Sequence, residues 1–155
     1  MIAHAATAHP DWNFVFVGPI TTNIGELKSL ANVHFLGPKP YESLPMYMKG
    51  FAVATVPFVF HDVTMRASPV KFYEYLASGV PVVATRLPDL YPFEHVAGLV
   101  STKEEFVSAL ENALQDGENQ REARMAEAYN HSWEARFSRI DELIDEARES
   151  VRSAA

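Results

Sequence analysis

A lysine and a glutamate three residues apart at the opening of a helix can grip two ends of one ligand. Lys71 and Glu74 stand in that relation within Thr64–Thr85, which reads TMRASPVKFYEYLASGVPVVAT. A spacing of three puts both side chains on one helical face. Free N–H groups and the positive end of the helix dipole make a helix N-terminus a seat for phosphate. Lys71, in the first turn, adds a full positive charge, and Glu74 sits one turn deeper. Such a pair suits a ligand with a phosphate end and a hydroxyl-rich end, and a nucleotide sugar is one. The same spacing also fits an ordinary Lys–Glu pair on a solvated face.

The surrounding residues predict how the pair is held. Ser68 is placed to cap the helix N-terminus with its hydroxyl. Pro69 then takes the first helical position, where a missing N–H costs nothing. Gly79 ends the helix, since it enters the left-handed region without a Cβ clash. Pro81 blocks a restart, and PVVAT reads as a short buried strand. Arg66, just upstream, reaches a phosphate in one reading and is simply solvated in the other. Asp62 and Asp89 read as turn formers.

Other chemistries find little support. The histidines at 4, 9, 34, 61, 95 and 131 form no metal-ligand spacing, so no metal site is expected. His34 alternates within a strand and reads as a surface residue. His61, in the loop before the helix, is the one histidine near the candidate site. No G-x-S-x-G elbow, P-loop or G-x-G-x-x-G occurs.

Apolar runs and turn signals predict the scaffold. Met1 to His9 reads as the end of a helix. Strands are expected at Asn13–Val17, Asn32–Leu36, Ala52–Val56, Val82–Ala84 and Ala97–Val100. Short helices are expected at Ile24–Leu30 and Ser43–Lys49, the latter stopped by Gly50. Continuous apolar strands alternating with helices indicate a parallel sheet covered on both faces. Ligands of such sheets bind beyond the carboxyl ends of the strands. Gly18, Gly37 and the loops after Pro57 and Thr85 belong to that edge.

The last third reads as helical. Ser101 and Glu104 form a capping-box pattern before a helix that turns Phe106, Leu110, Ala113 and Leu114 inward and breaks at Gly117. A second helix runs from Gln120 to Tyr129. A third starts near Ser132, with Trp133, Phe137, Ile140, Ile144, Ala147 and Val151 on one stripe. The stripe is expected to pack back against its own domain, because the seam is short for an independent coiled coil.

At 155 residues, with 48% apolar content, the chain fits one folded domain. The absence of cysteine excludes disulfides and thiolate metal sites and makes a cytoplasmic setting the default. No apolar run of membrane-spanning length is seen. The net charge is −7, and residues 101–155 hold thirteen acids against seven bases. An acidic chain with no basic stripe argues against nucleic-acid binding.

One long stretch resembles a known family. VHFLGPKPYESLPMYMKGFAVATVPF, followed by HDVTMRASPVKFYEYLASGVPVVATRLPDL, is similar to the C-terminal half of GT-B-fold glycosyltransferases. It resembles most the bacterial enzymes of the retaining group that build polysaccharides and glycolipids. The likeness runs from about Asp11 to the C-terminus and includes SWEARF at 132–137. The resemblance implies a doubly wound, Rossmann-like α/β domain that binds a UDP- or GDP-sugar and needs no metal. It implies that Ser68 and Lys71 hold the donor diphosphate and that Glu74 binds the ribose, which makes Lys71 and Glu74 the catalytic pair. Thr64 and Met65 would lie along the donor sugar or phosphate. Gly37, Lys39 and Tyr41 would border the nucleobase. Many relatives carry a second glutamate eight positions before the ribose-binding one, where this chain has Arg66.

The resemblance also implies a conflict. The fold has two domains, and this chain supplies one, so the acceptor glycan or lipid would be held by an N-terminal half. In the family the helix ending near His9 follows a strand at the centre of the sheet. Either the chain is part of a longer enzyme, one that can also associate peripherally with membranes, or its sheet is rearranged or completed by a partner, a second copy included. The isolated chain is then expected to bind nucleotide weakly and to transfer little. A non-catalytic nucleotide- or protein-binding module and a sugar-nucleotide epimerase are the rival readings.

Overall fold

A computed structural model of the protein describes residues 1–116 and 119–153. Helix α1 (Ile2–Ala8) leads to strand β1 (Phe14–Phe16), a 3₁₀ turn (Gly25–Ser29) and β2 (Val33–Phe35). A second 3₁₀ turn (Tyr41–Ser43) runs into α2 (Leu44–Met48), followed by β3 (Ala54–Val56). A third 3₁₀ turn (Thr64–Arg66) precedes α3 (Val70–Ser78) and β4 (Val82–Thr85). A fourth (Pro88–Phe93) precedes β5 (Gly98–Val100). Helices α4 (Lys103–Asp116), α5 (Arg121–Asn130) and α6 (Trp133–Ser153) complete the chain. The strands fall where the apolar runs place them, and the segment expected as a short helix at Ile24–Leu30 is the first 3₁₀ turn.

The core is built on β4. Its four residues are all buried, and alternate side chains enter opposite layers. Val82 and Ala84 join Phe72 and Leu76 of α3 and Leu90 and Phe93 of the fourth 3₁₀ turn. Val83 joins Ala5 of α1 and Phe106 and Leu110 of α4. A strand apolar on both faces is what helices on both sides of a parallel sheet require. The architecture is therefore the doubly wound, Rossmann-like α/β arrangement that the sequence implies.

All strand pairs are parallel, but the sheet is divided. β1 pairs with β2, and β3, β4 and β5 pair in that order. No pairing joins β1 to β3. A cavity of about 590 Å³ lies between them, lined by Phe14–Val17 on one wall and Ala52–Thr55 on the other. Parallel ladders use alternate residues on each side. Phe14 donates to Asn32 and Phe16 accepts from Leu36, so the N–H and C=O of Val15 turn toward the cavity. Ala54 donates to Pro81, so those of Thr55 turn toward it from the opposite wall. The expected conflict at the sheet centre takes this form, a slot with an unpaired strand edge on each wall.

Three local expectations are corrected. The cap of α4 lies one residue later than the Ser101–Glu104 pattern, because Thr102 Oγ1 accepts the Glu105 N–H at 3.1 Å and the Glu105 carboxylate accepts the Ser101 N–H at 2.7 Å. Leu114 is exposed rather than inward and borders the slot. The stripe of α6 does not pack back on the domain: Trp133, Phe137, Ile140, Ile144 and Val151 are all exposed. Periodicity fixes which face of a helix is apolar but not what covers it. The break expected at Gly117 lies outside the described residues.

Two polar side chains brace the scaffold. Asn32 Nδ2 reaches the carbonyls of Ala6, His9 and Trp12 at 3.0, 3.0 and 2.9 Å, tying α1 to β2. Arg124, buried on α5, donates to the Gly79 carbonyl at 2.9 Å and to Asp116 at 2.8 Å. Gly79 itself ends α3 with φ +79°, the left-handed cap foreseen in the sequence.

Candidate functional site

The site helix α3 begins at Val70, one residue later than its sequence suggests. Pro69 is the N-cap, with ψ at 107°, and no side chain caps the helix. Ser68 is consequently one position too far upstream to bond the first-turn amides, and its expected capping role is corrected. Its hydroxyl is instead exposed just ahead of the helix mouth. The N–H groups of Val70 and Lys71 have no carbonyl a turn earlier to bond. They point out of a nine-residue helix whose dipole favours an anion there.

Lys71 Nζ lies 2.7 Å from Glu74 Oε2, the pair that the spacing of three foretells. The hydrogen bond that the ammonium donates to the Glu74 carboxylate raises the Lys71 pKa above the ordinary lysine value, and partial burial opposes this. Both side chains remain open to solvent, so the pair contributes little to stability. The other carboxylate oxygen, Oε1, accepts from the Tyr41 hydroxyl at a long 3.4 Å. One side chain from the β2 edge thus reaches the acid on α3.

The remaining expected residues divide into groups. Gly18 and Gly37 follow β1 and β2 and are joined, the Gly18 N–H donating to the Gly37 carbonyl at 3.0 Å. Both have positive φ, 141° and 69°, and a Cβ at either would meet nothing within 4 Å. The two turns therefore leave open space at the carboxyl edge. Lys39 lies over the Tyr47 ring, 5.9 Å from its centre. Thr64 is occupied by its own loop: its hydroxyl donates to the Val59 carbonyl at 2.6 Å and accepts the His61 N–H at 2.9 Å. Met65 packs against the core beside α3. Arg66 is exposed and makes no ion pair with another described residue. His61 is exposed, and its Nδ1 faces the Val63 N–H at 3.3 Å.

The structure thus joins Tyr41, Lys71 and Glu74 directly. It sets Ser68 and Arg66 at the same helix mouth by chain continuity and turns Thr64 and Met65 toward loop and core. One cation on this edge drew no notice in the sequence. Arg86 follows β4, pairs with Glu94 and lies over the Tyr91 ring. Its partners, Glu94 eight residues away just beyond the 3₁₀ turn and Tyr91 five away on it, follow no helical spacing, so the sequence carried no signal for them. Among the described residues no three His, Asp or Glu side chains are placed to hold a metal ion. No described helix is long and apolar enough to cross a membrane.

Comparison with known proteins bears on the family. Residues 1–116 match the family model described as glycosyl transferases group 1. Over 152 residues the chain is 35% identical to TuaH of Bacillus subtilis (strain 168), a protein assigned to teichuronic acid biosynthesis as a glycosyltransferase. That match covers 90% of this chain but 38% of the relative, so the chain spans well under half of the relative's length. By the family model and by this relative the chain belongs to the group 1 glycosyl transferases, and its doubly wound domain is the C-terminal half of a GT-B fold.

Proposed function

We propose that this chain is the donor-binding domain of a glycosyltransferase that moves a sugar from a nucleoside diphosphate to an acceptor with retention of configuration. The observation that carries the reading is the position of Lys71. Lys71 belongs to the first turn of α3, whose leading amides are free, and its ammonium meets Glu74. A diphosphate seated there meets one full positive charge and two or more N–H donors. As the bond from the sugar carbon to phosphate oxygen breaks, the electron pair passes to the diphosphate, and these groups stabilise the charge that develops. Glu74 is then free to accept hydrogen bonds from the ribose hydroxyls. The Gly18 and Gly37 turns leave room for the base beside Lys39 and Tyr41, in either a UDP- or a GDP-sugar.

The acceptor side belongs to polypeptide outside residues 1–155. The assignment of the Bacillus relative to teichuronic acid biosynthesis supports a glycan or glycolipid acceptor, used by an enzyme that works in the cytoplasm or peripherally on a membrane. Alone, the domain binds nucleotide and transfers little sugar, since catalysis of this kind depends on holding both partners together.

Saturation-transfer NMR with UDP and GDP tests the reading. Transfer to ribose protons is expected for at least one of them, with loss of that signal in Lys71→Ala. A signal from neither ligand, or one indifferent to Lys71→Ala, contradicts it. The exposed stripe of α6 favours a second reading, in which the domain docks a protein partner and performs no transfer. Activity regained on supplying an acceptor-binding half excludes that alternative.

A further inference from the structure

Resting on the nucleotide-sugar reading above, we infer that Tyr41 is a positioning residue, which holds the Glu74 carboxylate for a ligand carrying a vicinal diol. The carboxylate is divided between two partners. Oε2 takes the Lys71 ammonium at 2.7 Å, and Oε1 takes the Tyr41 hydroxyl at 3.4 Å. Tyr41 is 68% exposed, so its ring contributes little to the core, yet its polar end turns back to an acid 33 residues away.

The two partners differ in what becomes of them when a ligand enters. At rest Lys71 and Glu74 neutralise each other. A diphosphate at the mouth of α3 carries more negative charge than one carboxylate and competes for the ammonium. Once Lys71 turns to the phosphates, Glu74 loses its strong partner. Its remaining tether among the described residues is the Tyr41 hydroxyl.

That tether matters for a diol. An ionised carboxylate has about four lone-pair sites. Tyr41 uses one and leaves the others in a fixed plane, where two neighbouring hydroxyls can both donate. Without the tether the carboxylate turns freely, and part of each bond's gain is lost in ordering it. Hydrogen bonds that are long in an empty site commonly tighten when ligand arrives, which suits the 3.4 Å contact.

Calorimetric titration of the full chain with UDP, GDP and their 2′,3′-dideoxy counterparts tests this. The variants are Tyr41→Phe, Glu74→Ala and the double substitution, with the thermal midpoint of each recorded. Tyr41→Phe is expected to weaken the ribonucleotide about three- to tenfold, the range of one hydrogen bond. Phenylalanine keeps the ring beside the base and loses only the hydroxyl, so the affinity for the dideoxy ligand and the thermal midpoint hold at those of the unaltered chain. In the Glu74→Ala background the same change adds nothing, because no acceptor is left for the hydroxyl to hold. Ribonucleotide binding that Tyr41→Phe leaves intact, a loss shared by the dideoxy ligand, or additive losses in the double variant each overturn this inference alone. Binding of none of the nucleotides by the unaltered chain overturns the nucleotide reading and this inference together.

Discussion

Replacing Arg124 by methionine should loosen the helix that carries the candidate site without touching that site. Arg124 is 1% exposed, and methionine is close to it in length, so little cavity is opened. The loss is polar. The Gly79 carbonyl, in a buried residue at the end of α3, gives up the donor at 2.9 Å. A buried acceptor left without a partner costs about 1–3 kcal/mol. Asp116 loses its partner at 2.8 Å, but its side chain is 27% exposed and water replaces much of that bond. The sum is about 2–4 kcal/mol, offset in part because the guanidinium no longer has to be desolvated. For a chain of this size each kcal/mol moves the midpoint by about 2–4 °C, so a drop of about 5–15 °C is expected. Urea unfolding of the unaltered chain, Arg124→Met and Arg124→Lys measures it, with Lys expected between the other two because its ammonium cannot span both acceptors at once. A change under about 1 kcal/mol, or a stabilisation, refutes the reasoning and means that desolvation of the guanidinium outweighs both bonds.

Other consequences can be checked alongside. Asn32→Ala removes one amide from three carbonyls and should cost about 1–3 kcal/mol in urea unfolding. Gly79→Ala forces a side chain to φ +79° and brings its Cβ within 2.8 Å of Arg121 Cγ, so a loss of about 1–2 kcal/mol is expected from the backbone alone. Glu74→Gln should lower the Lys71 ammonium toward the ordinary lysine value in an NMR titration, since the carboxylate is the main cause of its rise. The raised value adds stability that is present below the unfolded lysine value and lost as pH climbs through the folded one, and solvent exposure keeps that contribution small. Phe137→Ser on α6 should leave the melting temperature of the isolated domain within about 1–2 °C, because the ring is exposed there.

The legible part of the fold was local. Alternating apolar runs, glycine stops and prolines placed the strands and most helices, and β4 could be read as buried on both faces. Lys71 and Glu74 could be paired because three residues of helix bring them together. The Tyr41 contact could not, since its partner lies 33 residues away and no spacing rule spans that distance. The bonds of Asn32 and the Arg124–Gly79 bond were invisible for the same reason, running over 20 to 45 residues. Ser68 misled because serine before proline satisfies every sequence rule for a cap, while the chain stays extended through Pro69. The α6 stripe misled differently: its apolar face was legible, but no described residue covers it.

The divided sheet has a practical consequence for anyone handling the domain. Val15 and Thr55 offer hydrogen-bonding groups from opposite walls, so a stray segment of extended chain entering there gains a ladder on either flank at once. Ordinary sheet rims tempt with one. Purified at high concentration, the domain should therefore behave as a trap for unfolded polypeptide, its own neighbours included, and short apolar peptides added in excess should keep it dispersed.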